Sequence, residues 1–174
     1  GEGQFYDIPE VLERVRELGK NYHHSVSLTG GEPLLQINDM LKLLPEIDLP
    51  KYLETNATLP AHLKEIRAMI DIFSMDFKPG FEKEFQESLE LVREDDAFVK
   101  FIQISGTFIN DLRKAVRLRN HVCDKHEHKT ILEASGGVSV RNVVDVAETG
   151  VDRISLGFLT HTVVPADLSV EFAT

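Results

Sequence analysis

Apolar residues recur along this chain with two periods that replace one another. Val11, Leu12, Val15 and Leu18 fall three or four apart and share one face of a helix. Asp7 stands where an N-cap belongs, Pro9 fits a first turn, and Glu10 completes a capping box. Gly19 ends that helix. Residues 25–29 then form a short apolar and β-branched run, the signature of a strand, which stops at Gly30-Gly31-Glu32-Pro33. A short helix follows with Ile37, Met40, Leu41 and Leu44 inward. The alternation repeats with strands over 51–55, 72–77, 97–104, 130–134 and 152–156, and helices over 61–70, 81–92, 111–122 and 140–148. Phe81, Phe85, Leu89 and Val92 share a face of the helix over 81–92, and Ser139 caps the last.

A strand about every 25 residues, each followed by a helix, predicts right-handed βαβ units and a parallel sheet. The expected fold is α/β: a partial parallel (β/α) barrel of about six strands, as a single domain over residues 1–174. The chain of 174 residues falls short of the roughly 250 of a closed eight-stranded barrel. In such sheets ligands sit at the carboxyl ends of the strands.

Composition narrows the partners. A net charge of −10 without a basic stripe argues against a nucleic-acid backbone, leaving a small molecule or a phosphate ligand. No apolar run approaches the roughly 20 residues of a membrane helix, and no charged-then-apolar leader opens the sequence, so a cytoplasmic protein is expected. The one cysteine, Cys123, rules out an intramolecular disulfide and fits a reducing compartment. Cys123, His126 and His128 lie in a charged stretch and read as a loop, so no metal site is expected.

Candidate chemistry gathers at the strand ends. Gly30 and Gly31 let the backbone approach a ligand, Pro33 fixes a turn, and Glu32 can accept hydrogen bonds from a ligand ammonium. After the second strand comes Glu54-Thr55-Asn56, and the third ends in Ser74-Met75-Asp76-Phe77-Lys78-Pro79. An acid, an amide and an ammonium thus lie within reach of one ligand, with Ser105-Gly106-Thr107 comparably placed on the fourth.

Gly30-Gly31-Glu32-Pro33 resembles the Gly-Gly-Glu-Pro motif of the radical S-adenosylmethionine enzymes. Leu34-Leu35-Gln36, Glu54-Thr55-Asn56 and Asp76-Phe77-Lys78 extend the resemblance over residues 5–120, toward 7-carboxy-7-deazaguanine synthases and glycyl-radical-enzyme activators. The resemblance implies that the motif, through Gly30, Gly31, Glu32 and Pro33, binds the methionine amino group of S-adenosylmethionine. Glu54, Asn56, Ser74, Asp76 and Lys78 would line its ribose and carboxylate. The family's Cys-x-x-x-Cys-x-x-Cys loop, which holds a [4Fe–4S] cluster, has no counterpart in this sequence. The expectation is therefore a cofactor-binding core without catalysis of its own, with a cluster only where an upstream cysteine loop outside this chain supplies one.

Residues 129–172 carry a second resemblance. Glu133-Ala134-Ser135-Gly136-Gly137-Val138, then the stretch through Asp152-Arg153-Ile154-Ser155-Leu156-Gly157, then Leu159-Thr160-His161-Thr162, look like the end of quinolinate phosphoribosyltransferases. A glycine turn ahead of a helix, beside Gly157 on the next strand end, also suits a barrel phosphate site. By the resemblance Ser135, Gly136, Gly137, Gly157 and His161 hold a phosphate, and Glu133 faces the substrate. The join between the two parts falls between Asn120 and Lys129. A natural fusion, a truncated domain and a recombined chimera are equally compatible with it. Three functions stay open: a radical S-adenosylmethionine core, a phosphate or mononucleotide module, and an inactive scaffold whose open sheet edge pairs with another copy.

Overall fold

A computed structural model describes residues 6–20, 23–93, 98–105, 109–123, 130–157 and 159. In chain order the elements are α1 (Ile8–Gly19), β1 (Val26–Leu28), α2 (Ile37–Leu43), β2 (Lys51–Thr55), α3 (Pro60–Ile66), β3 (Ile72–Asp76), α4 (Glu82–Arg93), β4 (Phe98–Ser105), α5 (Ile109–Cys123), β5 (Leu132–Ser135), α6 (Val143–Ala147) and β6 (Arg153–Ile154). The fold is α/β, and the described strands form one parallel sheet in the order β1-β2-β3-β4-β5-β6.

Each local choice has a local cause. The Asp7 carboxylate accepts from the Glu10 N–H at 2.9 Å while Glu10 accepts from the Asp7 N–H at 3.0 Å, so the capping box closes and starts α1. On β2 and β3, Leu53, Phe73 and Met75 alternate with Glu54, Ser74 and Asp76, and the apolar set joins Leu63, Leu89, Leu112 and Val146 from the helices in one core. Phe77 continues that core beyond β3, meeting Phe85 of α4 edge to face at 5.1 Å between ring centres. This contact fixes the segment that carries Asp76 and Lys78.

Three residues expected inward are not buried: Leu18, Leu41 and Phe81 are 50, 36 and 47% exposed. Leu18 lies in the last turn of α1, which packs mainly against α2, and Phe81 precedes the first residue of α4. The last helix is also shorter than expected. Residues 140–142 form a turn, and the Asn142 carboxamide oxygen accepts from the Ser139 N–H at 2.7 Å. The Ser139 hydroxyl accepts from the Arg141 N–H at 3.3 Å, so its side chain caps this turn just ahead of α6.

Arg119, 6% exposed on α5, ties the C-terminal strands to the rest. Its guanidinium donates to the Thr130 carbonyl at 2.8 Å and to the Asp152 carboxylate, which also accepts from the Leu132 N–H at 2.9 Å. Replacing Arg119 by Ala leaves these acceptors short of a donor and should cost about 3 kcal/mol in urea denaturation, whereas Asp152→Asn, which keeps an acceptor for Leu132, should cost less.

Glu82 at the start of α4 reaches Lys114 of α5 at 3.3 Å. Its own backbone N–H, with lesser help from that of Gly80 and from the Lys114 ammonium, holds the Glu82 carboxyl below its ordinary value against the opposing effect of desolvation. A depressed carboxylate stabilises the fold above its unfolded pKa, and this is lost as pH falls through the folded value. The hydrogen bond from Lys114 to Glu82 raises the lysine, so that contribution is present below its unfolded pKa and fades as pH rises through the raised value. A Glu82→Gln variant should therefore lose part of the acid limb of a melting-temperature profile below about pH 4.5.

Candidate functional site

β1 delivers its loop in a strained form that only glycine tolerates well: Gly30 has φ +123°. A Cβ on Gly31 would meet nothing within 4 Å, so that side of the loop is open. Glu32 bends back. Its Oε1 accepts from the Leu34 N–H at 3.1 Å and the Thr55 hydroxyl at 2.8 Å, and its Oε2 accepts from the Asn56 N–H at 2.8 Å. Leu34 is fully buried, and its carbonyl lies 2.8 Å from Nδ1 of His62 on α3. The loop is thus held against both β2 and α3.

Past this loop the ends of β1, β2 and β3 enclose a cleft of about 270 Å³, lined by Thr29, Gly30, Gly31, Glu54, Thr55, Asn56, Ser74, Asp76 and Lys78. Seven of the nine residues assigned to a cofactor from sequence are in this lining. Pro33 instead borders an apolar recess with Tyr6, Ile8 and Val11. Glu32, the other, has its carboxylate occupied by the three donors just described. Thr29 and Thr55 are lining residues that carried no assigned role; Thr29 is recognisable only through its 2.6 Å bond to Glu54, which depends on strand pairing.

The lining presents a definite pattern of donors and acceptors. Glu54 receives Thr29 on one oxygen, and Asn56 receives both the N–H and the hydroxyl of Thr58 on Oδ1, which leaves the Asn56 amide group to donate. Lys78 pairs with Oδ2 of Asp76. Oδ1 of Asp76 is buried without a hydrogen-bond partner among the described residues, an acceptor in want of a donor.

The second group of assigned residues lies elsewhere on the sheet. Register pairs Asp76 with Gln103 and Gln103 with Glu133, so Glu133 is two strands, about 10 Å, from Asp76. Glu133 accepts from the Ser155 hydroxyl of the neighbouring segment. Gly136 and Gly137 follow β5 with φ of +84° and +65°, and Ser135 ends that strand. α6 has only five residues, and the Asn142 amide donates to the Gly137 carbonyl at 3.1 Å. Gly157 follows β6, while His161, Gly106, Thr107, His126 and His128 lie outside the described residues. Among the described residues no three His, Cys, Asp or Glu side chains are grouped to hold a metal ion. No described helix is long and apolar enough to cross a membrane.

Comparison with known proteins adds the ancestry. The family model for the quinolinate phosphoribosyl transferase C-terminal domain matches residues 58–171. The chain belongs to that family. The matched span of this quinolinate phosphoribosyl transferase domain runs from before α3 past β6, through the join expected between Asn120 and Lys129. A protein of Methanocaldococcus jannaschii named "Probable nicotinate-nucleotide pyrophosphorylase" is 29% identical over 107 residues, 49% of this chain and 38% of its own length. A 7-carboxy-7-deazaguanine synthase of Methanothermobacter thermautotrophicus is 38% identical over 76 residues, 44% of this chain and 31% of its own. A third relative, the 7-carboxy-7-deazaguanine synthase of Geobacter sulfurreducens, is 33% identical over 112 residues, 55% of this chain and 45% of its own. The chain spans less than half the length of each of these three relatives.

Cleft residues and core residues should separate in a stability measurement. Thr29→Val removes one exposed hydrogen bond and should shift the free energy of urea unfolding by less than about 0.5 kcal/mol, while Leu34→Ala, at a fully buried position beneath the same loop, should cost about 3 kcal/mol.

Proposed function

We propose that the cleft at the ends of β1, β2 and β3 binds S-adenosylmethionine. The observation that carries this reading is the convergence in one lining of Gly30, Gly31, Glu54, Asn56, Ser74, Asp76 and Lys78 from three strand ends. Similarity to proteins named 7-carboxy-7-deazaguanine synthase supports it. So does the chemistry of the lining. Glu54 and the orphaned Asp76 oxygen suit an ammonium and ribose hydroxyls, Lys78 suits a carboxylate, and the Asn56 amide can donate to a ribose oxygen. The open side of Gly31 gives the ligand room to lie against the loop backbone.

At about 270 Å³ the cleft lies just below the roughly 300 Å³ at which small-molecule sites begin, as one wall of a larger site would. In this reading the wall is part of an arc of a (β/α) barrel, which strands paired in chain order support by placing every right-handed crossover helix on the same side of the sheet. In the enzymes that the loop resembles, a [4Fe–4S] cluster supplies the electron that cleaves the cofactor. One cysteine in the sequence does not make a three-thiolate site, so the role assigned to this chain's residues is to bind and orient.

A second reading concerns the turn after β5. Consecutive positive φ values at Gly136 and Gly137 suit a loop whose N–H groups converge on an anion, and membership of the phosphoribosyl transferase domain family points the same way. Here Ser135, Gly136, Gly137 and Gly157 take a phosphate or mononucleotide, and Glu133 faces the rest of the ligand.

Titration calorimetry separates the two. S-adenosylmethionine should bind the unmodified chain, bind about tenfold more weakly to Glu54→Ala, and lose its heat of binding in Gly31→Val, where the new side chain fills open space. Gly136→Val should leave it unchanged and abolish any binding of nicotinate mononucleotide. A chain whose fold is intact by circular dichroism yet silent toward S-adenosylmethionine removes the first reading.

A further inference from the structure

We propose that the carboxylate of Glu32 is a fastener, not a ligand contact: it locks the β1 loop onto the end of β2 and thereby sets how Asn56 faces the cleft. A carboxylate offers about four acceptor positions, and three of those on Glu32 are taken by the Leu34 N–H, the Thr55 hydroxyl and the Asn56 N–H. Two of these donors are backbone groups, and two lie 23 and 24 residues away in sequence. One position, on Oε2, is left for an incoming ammonium, and Glu32 is not among the residues lining the cleft. What the loop turns toward the cleft is its backbone at Gly30 and Gly31.

The bonds continue below the cleft. Thr55, which donates to Glu32, accepts from the Ala57 N–H at 3.1 Å. Ala57 is fully buried at φ +56°, a left-handed conformation that costs a residue with a Cβ of the order of 1 kcal/mol. It is held there from the other side by Ser88 of α4, itself fully buried, whose hydroxyl donates to the Ala57 carbonyl at 3.0 Å. Between these two anchors the chain turns, and Asn56 spends Oδ1 on Thr58, so its amide is the group left for a ligand. Glu32 and Ser88 are thus positioning residues that act through Thr55, Asn56 and Ala57, and neither lines the cleft.

The ligand arm of the test rests on the S-adenosylmethionine reading; the fastening does not. In the ligand-free chain, amide hydrogen exchange followed by NMR should be at least about tenfold faster at Asn56 or Leu34 in Glu32→Gln, because the amide leaves at least one of the two N–H groups without an acceptor. Glu32→Gln, Thr55→Val and Ser88→Ala should each weaken S-adenosylmethionine and 5′-methylthioadenosine by the same factor, about tenfold for Glu32→Gln. The second probe lacks the amino acid part. Loss confined to S-adenosylmethionine in Glu32→Gln would make the carboxylate a direct ammonium contact and overturn the proposal, as would unchanged exchange at both amides. If Glu32→Gln does not fold, Thr55→Val and Ser88→Ala carry the same two readouts, with Ala57 as the reporting amide. Should the unmodified chain bind neither probe, the S-adenosylmethionine reading fails, and the exchange rates still decide the role of Glu32.

Discussion

A parallel sheet whose strands pair in chain order must carry every right-handed crossover over the same face, and that constraint organises this molecule. All the apolar helix faces then press on one side, and the buried apolar residues of β2, β3 and β5 there are Leu53, Phe73, Met75, Leu132 and Ala134. Strand alternation sends their neighbours Glu54, Ser74, Asp76 and Glu133 to the other side. A doubly wound sheet would have covered that side with helices as well. Here the period that builds the core also delivers acids to one open face. The cleft is the place where that face meets the loops at the strand ends.

Much of this was readable without coordinates, because both signals are local. The period of two at residues 51–55 and 72–76 fixes strand faces, and Gly-Gly beside Glu-Pro marks a loop that only certain backbones can make. Seven residues assigned to one ligand do share one cleft. The destination of the Glu32 carboxylate was not readable, since it depends on the pairing of Leu28 with Leu53 that brings Thr55 and Asn56 within reach. Motif reading assigns a carboxylate to a ligand by default, while the backbone offers it donors first. Leu18, Leu41 and Phe81 were misread for a related reason. Helical spacing identifies a shared face and is blind to where the neighbouring element ends.

The glycine turn after β5 lies, like the cleft, at the carboxyl end of its strand. Asp76, Gln103, Glu133 and Arg153 are consecutive register partners across four strands, so the two groups of candidate residues are neighbours along one row. A ligand about 10 Å long reaches from one to the other. The two ligand readings therefore concern neighbouring positions along one register row.

That proximity also suggests how one sheet accommodates two family likenesses. A βα unit joins its neighbour mainly through backbone pairing and an apolar helix face, supplemented between β1 and β2 by the Glu32 carboxylate. The specific demand arises where polar groups are buried at the seam, and Arg119 meets it: α5 sends its guanidinium to the Thr130 carbonyl and to Asp152, at the starts of the two C-terminal strands. The carboxylate of Asp152 returns to the Leu132 N–H. One part-buried ion pair thus fastens α5 to the amino ends of β5 and β6, while both groups of candidate residues sit at the carboxyl ends of their strands.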